Sequence, residues 1–327
     1  MKRRAIAILP GLAACALAAH APGALPQAVA SFGAVADSGW LYVYGGHIAP
    51  THVYSTEAVS GEFHRLNLSG PGTWETLPAG PPMQGMNIAA YKGRIYRIGG
   101  MTPQNPPDQP ADIHSITGCA RFDLATRIWE PLPALPGPRS SHDVVVIGSK
   151  LIVTGGWNLQ GSAPMEWVDT IAVMDLDAPN LQWTTAPQPF TRRAITAAAH
   201  SGRMFVLGGL DEKGAIVSDV NIYDPRDGQW TKGPALPGGG IRGFSPAAGL
   251  YQGSLYVSLA DGSLFRLDET AGKWEPAGQT KPRMAHRMAA SADGLLILGG
   301  AIDGNNLDLI ETVRLNAPQT AGSTGRQ

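Results

Sequence analysis

At 327 residues the chain is long enough for one large domain or two ordinary ones. Its 41 Gly, 27 Pro and only 16% charged residues suit many short strands joined by turns and argue against long helices. The formal net charge of −1 excludes a global field that would gather nucleic acid or an anionic membrane, so no nucleic-acid partner is expected.

The chain begins with a basic run, Lys2-Arg3-Arg4. An apolar stretch from Ala5 to Leu17 follows, then Ala19-His20-Ala21, which ends in the manner of a secretory cleavage site. The stretch is too short, and too interrupted by Pro10 and Gly11, to span a bilayer. Residues 1–21 therefore read as a signal peptide, and a periplasmic or secreted protein is expected. A second reading competes. Leu12-Ala13-Ala14-Cys15 resembles a bacterial lipobox, in which 1–14 would be the signal and a lipid on Cys15 the anchor. Cleavage after Ala21 is preferred, because the apolar run before Cys15 is very short; a lipid on Cys15 would be the one link to a membrane. Cys119 is the other cysteine, so no internal disulfide is expected in the mature chain, and its pattern Cys119-Ala120-Arg121-Phe122-Asp123 reads as a small buried hydrophobe.

After the leader one pattern recurs. Apolar strands ending in a glycine pair run from Leu41 to Gly46, Ile95 to Gly100, Leu151 to Gly156, Met204 to Gly209 and Leu295 to Gly300, with first glycines 54, 56, 53 and 91 residues apart. The last gap is two periods, and Leu255-Tyr256-Val257-Ser258-Leu259-Ala260 fills it as a degenerate copy. Six copies are present. Trp74, Trp129, Trp183, Trp230 and Trp274 keep the same phase, each opening a strand after a turn such as Tyr223-Asp224-Pro225-Arg226-Asp227-Gly228. Each is followed by a proline-rich exit such as Leu132-Pro133 or Leu236-Pro237.

Glycine pair, Tyr-Asp strand, turn and Trp strand together resemble the kelch family, from about Leu25 to Leu315. The resemblance implies an all-β, six-bladed kelch β-propeller of four-stranded antiparallel blades, with one domain over 22–316 and a flexible tail over 317–327. The physics agrees, because one blade of about 50 residues cannot bury both of its faces alone. The last blade has no Trp strand after Ile310 to Leu315. Ala24-Leu25-Pro26 stands where other repeats carry that strand's exit, so the N-terminus is expected to supply the missing piece; a chain starting at Cys15 leaves more residues for this than one cut after Ala21.

In kelch propellers the residues that begin each inner strand, and those just after the glycine pair, line one mouth of the central channel. In this register Arg139, Arg192 and Arg283 stand sixteen residues before the first glycine, Arg242 stands seventeen before Leu259, and His142 and His286 stand thirteen before. Arg193 and Arg287 are adjacent, and His47, Met101, Trp157, Asp261 and Ala301 follow the glycine positions. Val29 and Met83 occupy the arginine register in the first two repeats, and acidic residues other than Asp143 and Asp261 are scarce in this register. The resemblance thus implies a ligand site of Arg139, His142, Trp157, Arg192, Arg193, Arg242, Arg283, His286 and Arg287, with guanidinium forks suited to carboxylate or phosphate oxygens.

The leading expectation is a binding propeller for a small anionic ligand, an acidic sugar among the candidates, or for an acidic loop of a partner protein. An alternative is an enzyme: the size, blade count and export resemble periplasmic sialic acid mutarotases, and a sugar mutarotase or epimerase would draw its acid or base from His142, His286 or Glu166. The third is a protein–protein scaffold working through the long loops 47–61, 102–118 and 158–169. No His set has metal-site spacing and no nucleotide motif is present, so no metal or cofactor is expected. The kelch copper-radical oxidases need a Cys–Tyr cross-link and a set of His and Tyr ligands that a lone strand cysteine does not provide.

Overall fold

The second strand of each repeat is buried on both faces, as in Leu41-Tyr42-Val43-Tyr44 and Leu295-Leu296-Ile297-Leu298. Such strands need a neighbour on each side and a packed layer above and below. A computed structural model, describing residues 23–70 and 72–315, supplies both. The cleavage after Ala21, the lipid on Cys15 and the tail 317–327 lie outside the described residues.

Blade 1 is an antiparallel sheet of Gly33–Asp37, Trp40–His47, Val59–Asn67 and Trp74–Leu77. Blades 2 to 5 repeat this four-stranded plan, with inner strands Ile88–Tyr91, Asp143–Ile147, Thr196–His200 and Ala247–Tyr251. Blade 6 has Arg287–Ser291, Gly294–Leu298 and Ile310–Val313, three strands among the described residues. At its outer edge Ala24 bridges Leu309, and the Leu25 amide donates to Asp308 O at 2.7 Å. One short 3-10 helix, Gly240–Gly243, precedes blade 5. The result is a six-bladed β-propeller.

Six apolar clusters fill the six wedges between neighbouring blades. Tyr44, Phe63 and Phe122 join blades 1 and 2, while Phe32, Leu41 and Leu298 join blade 6 to blade 1 and close the ring. Each fully buried Leu or Phe there is worth roughly 1.5–3 kcal/mol. Every repeat tryptophan adds one polar contact. The Trp129, Trp183, Trp230 and Trp274 indoles donate to the carbonyls of Pro78, Pro133, Pro187 and Pro234, exit residues of the preceding blade, at 2.8–3.1 Å. Trp74 donates to Ala24 O at 2.8 Å, so Ala24 stands where the prolines stand elsewhere. Cys119 is buried in the wedge between blades 2 and 3, and burial pushes its thiol up to about 11, far from a reactive thiolate.

The glycine pair turns the second strand toward the axis. Gly46 has φ +108°, and a Cβ there would lie 2.4 Å from Val29 Cγ2 and 2.6 Å from Phe32 Cβ. Only glycine tolerates both the conformation and the approach.

Candidate functional site

Around the axis, one residue before each inner strand adopts a left-handed conformation: Ser31, Gly85, Ser141, Ala194, Ser245 and Ala285, with φ between 47° and 66°. Five of them donate a backbone N–H to the carbonyl of the equivalent residue in a neighbouring blade: Ser31 to Ala285, Gly85 to Ser31, Ser141 to Gly85, Ala194 to Ser141 and Ser245 to Ala194. This collar of small residues is not among the expected site residues. Its signal was available, because each member stands fourteen residues before the first glycine or its substitute Leu259.

A cavity of about 440 Å³ opens at the collar and draws residues from all six blades. Of the expected site residues, His142, Trp157, Arg193, His286 and Arg287 line it; Arg139, Arg192, Arg242, Arg283 and Glu166 do not. The expected four-arginine clamp of Arg139, Arg192, Arg242 and Arg283 does not form around this cavity.

Strand parity supplies the reason. Arg192–Arg193 is a two-residue strand paired with Leu210–Asp211, so successive side chains point to opposite sides. Arg193 reaches the cavity and Arg192 turns back into the blade, where it donates to Gly208 O at 2.8 Å, Asp219 O at 3.0 Å and Asn221 Oδ1 at 2.5 Å. Arg283 likewise donates to Lys281 O and Gly299 O and pairs with Glu311 at 2.6 Å. Arg139 bonds Val153 O and Thr170 Oγ1, both at 3.4 Å. These side chains serve carbonyls near the glycine bends, where strand partners run out. Burial lowers Arg139 and Arg192 to about 10, still charged at neutral pH. Val29 and Met83, at the same register, are buried too, so this position is interior all round the ring. Arg242 pairs with Asp261 at 2.6 Å, and Glu166 is exposed and accepts from Asn158.

Arg287 forms the floor. Its Nε donates to Phe32 O and its Nη2 to Met86 O, each at 2.7 Å, and its Nη1 approaches Asp143 at 3.5 Å. Arg193 differs from all the others. Its guanidinium lies 4.0 Å from the Trp157 ring centroid and has no hydrogen bond or ion pair to any described residue, and its buried Nε has no partner. Trp167 backs the Trp157 ring at 5.8 Å. Burial lowers the Arg193 pKa, with a smaller opposing effect from Tyr54, which lines the same cavity.

The wall holds further unpartnered polar atoms. His142 Nε2 is 3.0 Å from Ile98 O, a bond that requires the proton on Nε2 and leaves Nδ1 a bare acceptor. His286 Nε2 is 3.1 Å from Ser258 Oγ, and its Nδ1 is also unpartnered. Burial first, and then Arg139 for His142 or Arg283 and Arg287 for His286, pushes both imidazoles down to about 3. They are neutral at physiological pH. Gln84 Nε2, Trp157 Nε1 and Asn306 Oδ1, also on lining residues, lack partners. These atoms lie beneath the cavity surface, and none of the lining residues is Asp or Glu.

Tyr54, Gln84 and Asn306 were not anticipated. Gln84 bridges Met101 at the strand register, but Tyr54 and Asn306 arrive on loops. Asn105 Nδ2 donates to Tyr54 O at 2.7 Å, and Asn306 Nδ2 donates to His47 O and Ala49 O. Loops of blades 2 and 6 thereby brace the blade 1 loop against the cavity.

A family model described as the KLHDC2/KLHL20/DRC7 Kelch-repeats domain matches residues 31–258. The chain is 28% identical to human (Homo sapiens) Kelch repeat and BTB domain-containing protein 12 over 209 residues, 60% of this chain and 33% of that protein. It is 33% identical to Kelch-like protein 34 from Homo sapiens over 143 residues, 42% of this chain and 22% of that one. The chain spans a third or less of the length of these curated relatives. A solved structure titled "Structure of YjhT" aligns with a TM-score of 0.71 at 15% identity, over 90% of this chain and 98% of that chain, a likeness of fold alone. With the family model matched over residues 31–258 and six blades closed into a ring, the chain belongs to the kelch-repeat family.

Proposed function

We propose that this protein is an exported binding propeller whose mouth cavity takes a small hydroxylated acid, with acidic sugars as the leading class. One observation carries the reading: Arg193, held against Trp157 in the cavity wall, is a guanidinium with no protein partner. Arg193 is half-buried with its Nε shut off from water, and a carboxylate would give its free guanidinium edge a charge-assisted pair. His142, His286, Gln84 and Trp157 also line the cavity and give its wall a polar character suited to a hydroxylated ligand. A volume of about 440 Å³ falls within the usual range for small-molecule pockets, roughly 300–1,000 Å³.

Sugar anomer exchange is the alternative at the same site. Imidazoles that burial lowers to about 3 are weak proton acceptors, which favours binding over proton transfer. Thermal-shift screening with acidic and neutral sugars tests the proposal, since a ligand specific to the folded state raises the melting temperature with occupancy. Stabilisation by acidic sugars, lost in Arg193→Met, is the expected result. Equal response to neutral sugars, or none to either, overturns it. Anomer exchange above the uncatalysed rate would establish the enzyme instead. Export rests on the leader sequence, and the intact mass of the mature protein separates cleavage after Ala21 from a lipid on Cys15.

A further inference from the structure

The geometry points to a second use of the mouth: a docking surface for a basic protein segment that carries apolar side chains among its lysines or arginines. The loops that follow the second strand of each blade (48–58, 102–118, 158–169, 210–219, 259–262 and 302–309) leave the strands at the mouth end of the ring, and two of them, 48–58 and 302–309, line the cavity. Together they hold eleven Asp or Glu and a single basic residue, Lys213, in a chain whose whole formal charge is −1. The scarcity of acids found at the inner-strand register does not extend to these loops. Lys232 and Arg242, from neighbouring segments, neutralise only Asp219 and Asp261. Glu57, Asp108, Asp169, Glu212, Asp303 and Asp308, from five of the six blades, are exposed and in no ion pair among the described residues.

A second observation marks the same face. Six large hydrophobic side chains are exposed among the described residues, and four of them stand at the mouth: Ile48 and Val53 on the blade 1 loop, Met165 on the blade 3 loop and Ile241 before blade 5. Single exposed apolar residues are ordinary, but their concentration on one rim, between carboxylates, is the composition of an interaction surface. Carboxylates alone would attract any cation. With apolar contacts between them the face fits a chain that alternates the two characters, and charge complementarity speeds its encounter while rejecting acidic partners.

The docking surface stands apart from the small-ligand reading, because it uses the rim and not Arg193. The test measures fluorescence anisotropy of labelled peptides of about 15 residues on the intact protein, with Lys/Leu, Lys/Ser and Glu/Leu compositions. The Lys/Leu peptide should bind best and weaken at least about tenfold between about 50 and 300 mM salt. Neutralising the rim (Glu57→Gln, Asp108→Asn, Asp169→Asn, Glu212→Gln, Asp303→Asn, Asp308→Asn) should weaken it by about tenfold or more. Replacing Ile48, Val53, Met165 and Ile241 by Ser should do the same, and Arg193→Met should leave it unchanged. Both variants are confined to exposed side chains, and a melting curve on each verifies the fold. If the Lys/Ser peptide binds as tightly as Lys/Leu, or either rim variant binds like wild type, the docking surface is refuted. A failure of the cavity reading would show instead as acidic sugars that do not stabilise the protein.

Discussion

Arg287 reaches across the axis from blade 6 and places Nη1 3.5 Å from a carboxylate oxygen of Asp143 on blade 3. The pair is a clasp. Arg287 also bonds carbonyls of Phe32 and Met86, in the entries to blades 1 and 2, while Asp143 accepts from Asn87 of blade 2 at 2.8 Å and from the Ala197 amide of blade 4 at 2.8 Å. Two side chains thus tie five of the six blades beneath the cavity.

Breaking a buried pair leaves one charge without its counterpart, at a cost of about 3–5 kcal/mol. Arg287→Met is therefore expected to lower unfolding stability by about that much, and Arg287→Met with Asp143→Asn by less than the sum of the single changes. Denaturant titration of the four proteins checks this. Additive losses would mean that the two residues do not act as a clasp.

Arg193 and Arg192 are neighbours with opposite expected phenotypes. Arg193→Met should weaken an acidic ligand about ten- to a hundredfold, as expected for a charge-assisted contact of roughly 1.5–3 kcal/mol, with the melting temperature nearly unchanged. Arg192→Met orphans the carbonyls of Gly208 and Asp219 and should cost about 3 kcal/mol of stability, while binding per folded molecule persists. Isothermal titration combined with thermal melts distinguishes the two patterns.

The buried imidazoles are expected to make the protein acid-sensitive. Above their ordinary value of 6.5, His142 and His286 are neutral whether the chain is folded or not. As pH falls from there toward about 3, the unfolded chain takes up protons that the folded one refuses, so stability drops throughout that window. Each histidine contributes up to about 1.4 kcal/mol per pH unit. Denaturant midpoints at several pH values should show this decline, and His142→Gln should flatten its slope by about one histidine's share. An unchanged slope would mean that His142 titrates normally in the folded protein.

Gly46 and Gly39 both have positive φ, but their surroundings differ. An added Cβ at Gly46 meets Val29 and Phe32, whereas nothing lies within 4 Å at Gly39. Gly39→Ala is expected to cost about 1 kcal/mol, from backbone strain alone, and Gly46→Ala more than about 3 kcal/mol. Chemical denaturation of the two variants measures the difference, and equal losses would show that crowding at the glycine pair is relieved by small shifts.

The fold was legible because a propeller repeats. The glycine pairs at Gly45, Gly99, Gly155, Gly208 and Gly299 and the tryptophans from Trp74 to Trp274 are local patterns at nearly constant spacing, and a blade's strands pair within one such period. Ring closure was legible only as the expectation that the N-terminus supplies the missing piece. Trp74, like the other repeat tryptophans, reaches an exit segment one blade away, and for blade 1 that segment is Ala24. The period also located the mouth, since His142, Trp157, Arg193, His286 and Arg287 meet there.

The six-blade count, the strand phase and the ring of positions around the axis follow from spacing along the chain and from which residues tolerate burial. Which of those positions face the cavity emerges only in the folded ring. Arg192 and Arg193 differ by one residue, and in an extended segment one residue reverses the side chain, so a register count could not tell a buried brace from an open cation. Nor could it find Tyr54 or Asn306, whose places depend on loops braced by other blades. Direction and long-range partners arise when the ring closes, and no spacing within a single repeat encodes them.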